Sequence, residues 1–373
     1  MDYDDIGEII GYEGRQFITD GEGPVTKNDN AFEISCELIE DGDRLFSLVS
    51  KYDDVLADII RKPRYKAGDT LRLILPFLKA YGATDRNMIE FSRKNILMVP
   101  GAEKTMRFVN ELMPAFIVST SYEHYVNAVC ETIGFPFENA YCTTLRIDSA
   151  RMSDWERDIL RNYAREITRL PMIEIPDRAI SLDDFDDKSR QTIERLDLLF
   201  WEEMTDLSTY QLILEVNPVG GDEKANSILE IQRSTGIGLE STMYLGDSIT
   251  DVQALQLVRD GGGVAVSFNG NAYAVREAEI CVISPNTVVT SVLAETFSTA
   301  GREGIMNLVE NWEVEFLRRS GCVHDYLIKE LERVFPDKLP TLERITFNNI
   351  DRLTRESSAF RKTVRGLEIG SLG

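Results

Sequence analysis

The sequence predicts an α/β fold, with a parallel β-sheet covered by helices on both faces. The first observation is that strand-like and helical segments alternate along much of the chain. The second is a helix that leads directly into a buried strand, in "VPGAEKTMRFVNELMPAFIVST". The third is size, because 373 residues, 43% of them hydrophobic, are enough for a substantial core and two or three domains.

In the first part of the chain, the strand "QFITD" precedes a mostly helical region that runs from about Asn30 to Asn95. Pro100 and Gly101 open an amphipathic helix that leads to the strand "AFIVST". The helix "SYEHYVNAVCETIG" follows. The β-branched residues of "ENAYCTTLRID" then predict a strand or a hairpin.

The second part begins with a long, charged helical insertion, predicted from about Ser149 to Leu207. We interpret "TYQLILEVNPVGG" as a strand and turn, and "STMYLGDS", "GVAVSFNGN" and "ICVIS" as further strands. Helices are predicted for "DEKANSILEIQRSTG", "TDVQALQLVRDGG" and "AYAVREAE". The tail beyond Pro285 has a helical pattern, clearest in "IMNLVENWEVEFL", and shows no residues that indicate chemistry.

Charge excludes several functional classes. The chain has 41 Lys and Arg against 63 Asp and Glu, so its surface should repel nucleic acid and anionic membranes. The N-terminal "MDYDDIGEII" is acidic where a signal peptide is basic, and no apolar run approaches the roughly 18–20 residues that span a bilayer. We therefore expect a cytoplasmic protein with no nucleic-acid partner and no membrane insertion.

Cysteine and histidine contents narrow the chemistry. The cysteines are odd in number, lie far apart and form no CxxC pair, so neither a disulfide scaffold nor a zinc site is indicated. With only His124 and His324, there is little room for serine–histidine, cysteine–histidine or multi-histidine metal chemistry. Any catalysis is expected to depend on carboxylates.

Candidate site residues are the polar side chains near the carboxyl ends of the predicted strands, where open α/β sheets bind ligands. They are Asp20 and Glu22 in "DGEGP", Ser119 and Thr120 after "AFIV", Lys224 ahead of a helix, and Asp247 and Asp251 in "LGDSITD". Each has a structural alternative, because Asp and Gly form turns, Ser, Thr and Asp cap helices, and a lone lysine is usually solvated. Their order along the chain is what indicates a site.

Together these residue types suit phosphoryl chemistry. Carboxylates from two strands could hold Mg²⁺, which prefers oxygen ligands, while lysine and hydroxyl groups bind the phosphate. An aspartate is ionised at neutral pH and needs no histidine base to act as a nucleophile. A second carboxyl group could protonate the leaving oxygen and later activate water.

The ordered set resembles the haloacid dehalogenase-like (HAD) hydrolases, which are mostly phosphatases that act through a phospho-aspartate. "FITDGEGPV" is similar to the first motif of that family, a strand followed by D-x-D-G-T, and "FIVST" is similar to the second. Lys224 corresponds to the third motif and "GDSITD" to the fourth, GDxxxD. The segments 12–35, 96–148 and 208–284 most resemble the phosphoserine phosphatases.

This resemblance implies roles for the candidate residues. It makes Asp20 the nucleophile and Glu22 the acid and base. It implies that phosphate binds to Ser119, Thr120 and Lys224. The Mg²⁺ ligands would be Asp20, the main-chain carbonyl of Glu22, and Asp247, with Asp251 close behind.

The resemblance also divides the chain into four parts. The Rossmann-like core would comprise residues 1–35, 96–148 and 208–284. A helical cap would occupy 36–95, a second helical insertion 149–207, and a helical C-terminal extension 285–373.

The expected function is Mg²⁺-dependent hydrolysis of a small phosphorylated metabolite, because caps of this size exclude macromolecules. Glu22 and Pro24 differ from the aspartate and threonine usual in the first motif. "DGEGP" also resembles a small archaeal group in this superfamily, energy-converting hydrogenase A subunit R. The alternative is therefore a non-catalytic subunit that docks a protein partner through its helical insertions.

Overall fold

The structure is a computed structural model that describes residues 14–176 and 179–372. Sequence analysis assigns residues 1–13, including the acidic segment "MDYDDIGEII", to the core. These residues lie outside the described part. The strands are β1 Gln16–Thr19, β2 Ala115–Tyr122, β3 Ala140–Thr143, β4 Thr242–Gly246, β5 Val264–Phe268, β6 Ile280–Ile283 and β7 Thr341–Arg344.

The strands of the described residues form one seven-stranded sheet in the order β3-β2-β1-β4-β5-β6-β7. All neighbouring strands pair in parallel except β7, which is antiparallel to β6. This sheet confirms the predicted α/β fold of Rossmann-like type. Because β1 lies between β2 and β4, the residues that follow these three strands meet at one edge of the sheet.

The core helices cover both faces of the sheet, and they form where the sequence predicts them. On one face α5 (Ala102–Leu112), α6 (Glu123–Ile133) and α13 (Val288–Glu310) pack in one hydrophobic cluster, and α13 is broken at Gly301. On the other face α10 (Asp222–Thr235), α11 (Val252–Asp260) and α12 (Ala272–Glu277) contribute to a second cluster. Strands buried on both sides follow from this arrangement.

The two helical insertions share one hydrophobic cluster, so they form a single helical cap over the edge of the sheet. The first insertion contains α2 Gly42–Asp54, α3 Thr70–Ala80 and α4 Asp85–Lys94, and α1 Asn30–Leu38 begins before its predicted start at residue 36. The second contains α7 Asp154–Ile167 and α8 Asp187–Leu198, and α9 Tyr210–Glu215 follows its predicted end at residue 207. Tyr52 and Phe200, one from each insertion, stack with ring centroids 5.9 Å apart.

The prediction of a strand at "TYQLILEVNPVGG" is wrong, because this segment forms the short helix α9. A short apolar run does not distinguish a strand from a helix. The surroundings decide, because Leu212 and Ile213 are buried in the cap cluster, away from the sheet.

The C-terminal extension is mostly helical, with α14 Val314–Ser320, α15 Asp325–Val334 and α16 Ile350–Arg365. Two details differ from the sequence prediction. "IMNLVENWEVEFL" is divided between α13 and α14, and β7 adds an edge strand to the sheet. Beyond β7 the chain returns along the sheet, and α16 reaches the edge where the candidate site lies. Within the described residues, no helix is long and apolar enough to cross a membrane.

Candidate active site

A buried lysine joins two of the predicted carboxylates. Lys224, in the first turn of α10, donates to Asp20 Oδ2 at 2.5 Å and to Asp251 Oδ1 at 2.6 Å. Its side chain is 0% exposed, so the interpretation as a solvated surface lysine is wrong. Burial lowers the pKa of Lys224, but the two carboxylates outweigh burial and raise the pKa above its ordinary value. The lysine is therefore a permanent positive charge beside Asp20.

Asp20 follows β1 directly, and its main-chain N–H donates to Leu245 O at 2.8 Å in the neighbouring strand. The N–H of Gly21 donates to Asp20 Oδ1 at 2.6 Å, which fixes the carboxylate in place. Burial raises the pKa of Asp20 to about 6, and the Lys224 ammonium limits the rise. Asp20 is thus mainly ionised at neutral pH, as a nucleophile must be.

Asp251 has a structural function in the turn after β4. Its Oδ2 accepts from the N–H of Asp247 at 2.8 Å and of Ser248 at 2.9 Å, and its Oδ1 also accepts from Tyr244 Oη at 2.6 Å. The capping interpretation is therefore correct for this residue, which also contacts Lys224. Because its oxygens accept hydrogen bonds from protein donors, Asp251 holds Lys224 and the turn after β4 in position.

Glu22 lies on the cap side of Asp20. Its Oε1 accepts from the N–H of Asn30 at 2.8 Å, at the start of α1, so the carboxyl group bridges core and cap. Burial and the nearby Asp29 carboxylate raise the pKa of Glu22 to about 8. The group therefore keeps its proton at neutral pH and can act as a general acid.

The glycine after Glu22 is required by the close approach of the next strand end. Gly23 has φ of 101°, and a Cβ there would lie 2.1 Å from Asp247 Oδ2. Only glycine tolerates both conditions. The "GEG" sequence therefore brings the backbone against Asp247, as well as turning the chain.

Ser119 and Thr120 lie within β2, and α6 begins only at Glu123. The interpretation of these hydroxyl groups as helix caps is therefore wrong. Ser119 is buried against Gly21, where an added Cβ would lie 3.3 Å from Ser119 Oγ. Thr120 Oγ1 is buried with no hydrogen-bond partner among the described residues, and Thr120 lines the cavity described below.

Two arginines that sequence analysis missed bind Asp247. Arg361 and Arg365 of α16 both donate to Asp247 Oδ2, and the Arg365 contact is 3.1 Å long. Both side chains are buried, with 3% and 6% exposed. The prediction that the tail carries no site residues is therefore wrong. The available signal was weak: arginines four residues apart in a helical pattern that also contains Leu353.

The site opens into a cavity of about 90 Å³ between the core and the cap. The core contributes Asp20, Glu22, Thr120, Ser121, Asp247 and Ser248 to its wall, and the extension contributes Arg361, Arg365 and Leu372. Three carboxylates that the sequence did not indicate also line it: Asp29, just before α1, and Asp53 and Asp54 of the cap. The small volume admits a small group.

The carboxylates suit a hard cation. One oxygen from each of Asp20, Asp247 and Asp251 lies within 4.8 Å of the others, and the set contains only oxygen donors, which Mg²⁺ prefers. Asp20 and Asp247 line the cavity and Asp251 does not, so Asp20 and Asp247 are the side chains with the better access. The donor set therefore fits Mg²⁺, although Asp247 is also bound by arginine.

Comparison with known proteins gives the fold more support than the activity. No protein-family model matches the sequence, and no curated protein does. The structure is similar to that of a gene product from Archaeoglobus fulgidus, with 27% identity and a TM-score of 0.77, over 97% of this chain and 99% of that one. The shared architecture thus includes both insertions and the C-terminal extension.

Solved structures of phosphoserine phosphatase are also similar. The apo form has 14% identity and a TM-score of 0.44, over 74% of this chain and 96% of that one. A phospho-aspartyl intermediate analogue has 16% identity and a TM-score of 0.44, over 75% and 97%. The Rossmann-like fold of this chain follows from its own sheet order, and the segments that carry Asp20, Lys224, Asp247 and Asp251 meet at one edge of that sheet.

Proposed function

We propose that the protein is a Mg²⁺-dependent phosphatase that hydrolyses a small phosphomonoester through a phospho-aspartate on Asp20. The carrying observation is that Asp20 and Glu22 line one small cavity and that the buried Lys224, from a distant segment, bonds to Asp20. The resemblance to HAD hydrolases in sequence supports the same roles.

In the first half of the reaction, the Asp20 carboxylate attacks phosphorus, and the bond between phosphorus and the ester oxygen breaks. Glu22 gives its proton to that oxygen, which leaves as an alcohol. Lys224, which bonds to Asp20, and Thr120 Oγ1, which has no hydrogen-bond partner among the described residues, would bind the phosphoryl oxygens. Mg²⁺ held by Asp20, Asp247 and the main-chain carbonyl of Glu22 would stabilise charge on the phosphoryl group.

In the second half, Glu22, now ionised, takes a proton from a water molecule that attacks the phospho-aspartate. The bond between Asp20 and phosphorus breaks, and inorganic phosphate leaves. The cap closes the cavity over these groups, which favours a small substrate over a macromolecule.

The experiment is a panel of small phosphate esters with and without Mg²⁺, run on the wild type and on Asp20→Asn. We expect Mg²⁺-dependent release of phosphate that Asp20→Asn abolishes. Beryllium fluoride with Mg²⁺ should form a stable phospho-aspartate mimic on the wild type and none on the variant. Unchanged turnover in a folded Asp20→Asn protein would exclude Asp20 as the nucleophile.

A second candidate is a non-catalytic subunit that retains the fold and docks a protein such as a hydrogenase subunit. The favouring observation is that Arg361 and Arg365 neutralise Asp247 without a metal. This candidate predicts no turnover on any ester with Mg²⁺, and a complex with purified hydrogenase subunits on size-exclusion chromatography. The ester panel therefore separates the two candidates.

A further inference from the structure

The C-terminal helix α16 presents one continuous face to the candidate site. Leu353, Ser357, Arg361 and Arg365 follow one another at intervals of four residues, so they lie along one side of the helix. Leu353 is buried near Val275, and Ser357 Oγ donates to Gly270 O at 2.6 Å. The first half of this face anchors α16 to the core, and the second half carries the two arginines.

The arginines contact Asp247 closely. The Arg361 guanidinium donates to Asp247 Oδ2 and, through the same nitrogen, to Asp247 O at 3.2 Å. Arg365 Nη1 adds a second contact to Oδ2 at 3.1 Å. A guanidinium and a divalent cation both need this anionic group, so they compete for it.

Arg365 extends the contact to the connection between core and cap. It donates to Lys27 O at 3.0 Å and to Asn28 O, in the segment that leads from the core to α1. In the same segment Lys27 N donates to Leu97 O at 2.7 Å, where the chain returns from the cap. The helix thus joins the carboxylate to the outgoing segment at residues 27–28, which in turn bonds to the returning segment at Leu97.

Among the described residues, no side chain of the core donates to the Asp247 carboxylate in place of α16. Lys224 already bonds to Asp20 and Asp251, and within the described residues it makes no bond to Asp247. Without a metal, Asp247 at 1% exposure depends on the arginines for its counter-charge. With a metal bound, the arginines would add excess positive charge at the same oxygen.

We infer that α16 is an intramolecular competitor of the divalent cation, so that Arg361 and Mg²⁺ bind the Asp247 carboxylate in mutually exclusive states. The inference rests on the metal site of the proposed function and is independent of turnover. Binding of the cation releases Arg361, and with it the Arg365 contacts that hold the cap connection. The C-terminal extension thereby couples metal occupancy to the mobility of the cap.

The first test measures Mg²⁺ affinity by calorimetry in the wild type, Arg361→Gln and Arg361→Lys. Suppose that the population of the arginine-bound state is about ten times that of the open state. Removing the competing arginine should then tighten the apparent Mg²⁺ affinity by about tenfold. Arg361→Lys keeps the charge without the forked geometry, so its affinity should lie between the other two. Arg355→Gln, at an exposed position of the same helix, is the matched control and should match the wild type.

The second test needs no substitution, so it remains decisive if Arg361→Gln fails to fold. Amide hydrogen exchange in α16 and residues 27–29 of the wild type should become faster when Mg²⁺ is added. Slower exchange in α16 with Mg²⁺ would overturn the inference. Equal Mg²⁺ affinity in the wild type and a folded Arg361→Gln would also overturn it.

Failure of the phosphatase proposal can be distinguished from failure of this inference. Tighter Mg²⁺ binding by Arg361→Gln without hydrolysis of any ester would support the competition and refute the phosphatase. Hydrolysis with unchanged Mg²⁺ affinity in Arg361→Gln would do the reverse. Absence of Mg²⁺ binding in both proteins would overturn both.

Discussion

Asp20 and Asp247 lie at the same edge of the sheet, but different parts of the chain neutralise them. Lys224, from a helix of the core, bonds to Asp20 and Asp251. Arg361 and Arg365, which follow Asp247 by 114 and 118 residues, bind the other carboxylate. Lys224 belongs to α10, which packs on the sheet between strands of the core, whereas the arginines belong to a C-terminal helix that can withdraw without breaking a strand pairing. A site can therefore combine one permanent and one removable counter-charge.

The largest loss of stability is expected when the permanent positive charge of Lys224 is removed. Lys224→Met would leave Asp20 and Asp251 buried without their shared partner, so the free energy of unfolding should fall by about 3–5 kcal/mol. Urea unfolding measures the change. Lys188→Met, at an exposed position, is the control and should change stability by less than about 0.5 kcal/mol. A loss below about 1 kcal/mol would show that Lys224 is not essential to the core cluster.

The second prediction concerns Glu22, which we propose as the acid and base beside Asp20. Glu22→Gln removes the transferable proton, so turnover should fall by about 10²–10⁴ while Mg²⁺ affinity stays nearly constant. Glu22→Asp distinguishes two origins of this residue. It should slow the reaction if Glu22 is matched to the substrate, and raise activity if Glu22 is a degraded aspartate. Unchanged turnover in both variants would exclude proton transfer by Glu22.

Asp247→Asn removes the shared target of arginine and metal. The variant should lose about 1.5–3 kcal/mol of stability with its charged hydrogen bonds. It should also show a smaller rise in melting temperature on addition of Mg²⁺, because less cation binds to the folded state. Asp260→Asn, exposed at the end of α11, is the control for a lost surface carboxylate. Equal stabilisation by Mg²⁺ in Asp247→Asn and the wild type would exclude Asp247 as a ligand.

The last prediction concerns the cap. Burial, together with the carboxylates of Asp69 and Asp54, raises the pKa of Asp53 from 3.8 to about 8. The folded state thus binds a proton that the unfolded state has released, and stability should fall as pH rises from about 4 to 8. Asp53→Asn imitates the protonated form and can keep the bond from Gly68 N–H, which is 2.9 Å long.

We expect Asp53→Asn to be more stable than the wild type at pH 8 and similar to it at pH 4, as measured by melting temperature. A gain of 1 kcal/mol corresponds to roughly 2–4 °C in a domain of 150–250 residues. Asp43→Asn, exposed on the same helix, is the control for a lost surface carboxylate. A difference that is largest at low pH would contradict the assignment.

Much of the core could be predicted from sequence, and so could the site residues that the core contributes. Strand patterns and strand ends are local features of the sequence. Asp20, Lys224 and Asp247 follow or precede recognisable elements, and their order indicated that they meet. The alternative interpretations failed where tertiary contacts buried the side chain, as at Lys224. At Asp251 both interpretations hold, because the same carboxylate caps the turn and contacts the lysine.

Other features had no local signal. Asp53 and Asp54 look like ordinary helix residues in sequence, and only the fold of the cap turns them toward the cavity. The two insertions were predicted as separate units, but they share one cluster because each alone leaves an apolar face uncovered.

The sequence by itself determined the parallel sheet and the position of Asp20 and Asp247 at the ends of its strands. The hydrophobic period of short segments and their order along the chain are sufficient for both. Only the tertiary structure decided how Asp247 is neutralised. The antiparallel pairing of β7 with β6 directs the chain back along the sheet and sets α16 against the site. Arg361 contacts Asp247 because that long-range pairing brings α16 back to the site. The two residues are far apart in sequence, so no short segment contains the information that they meet.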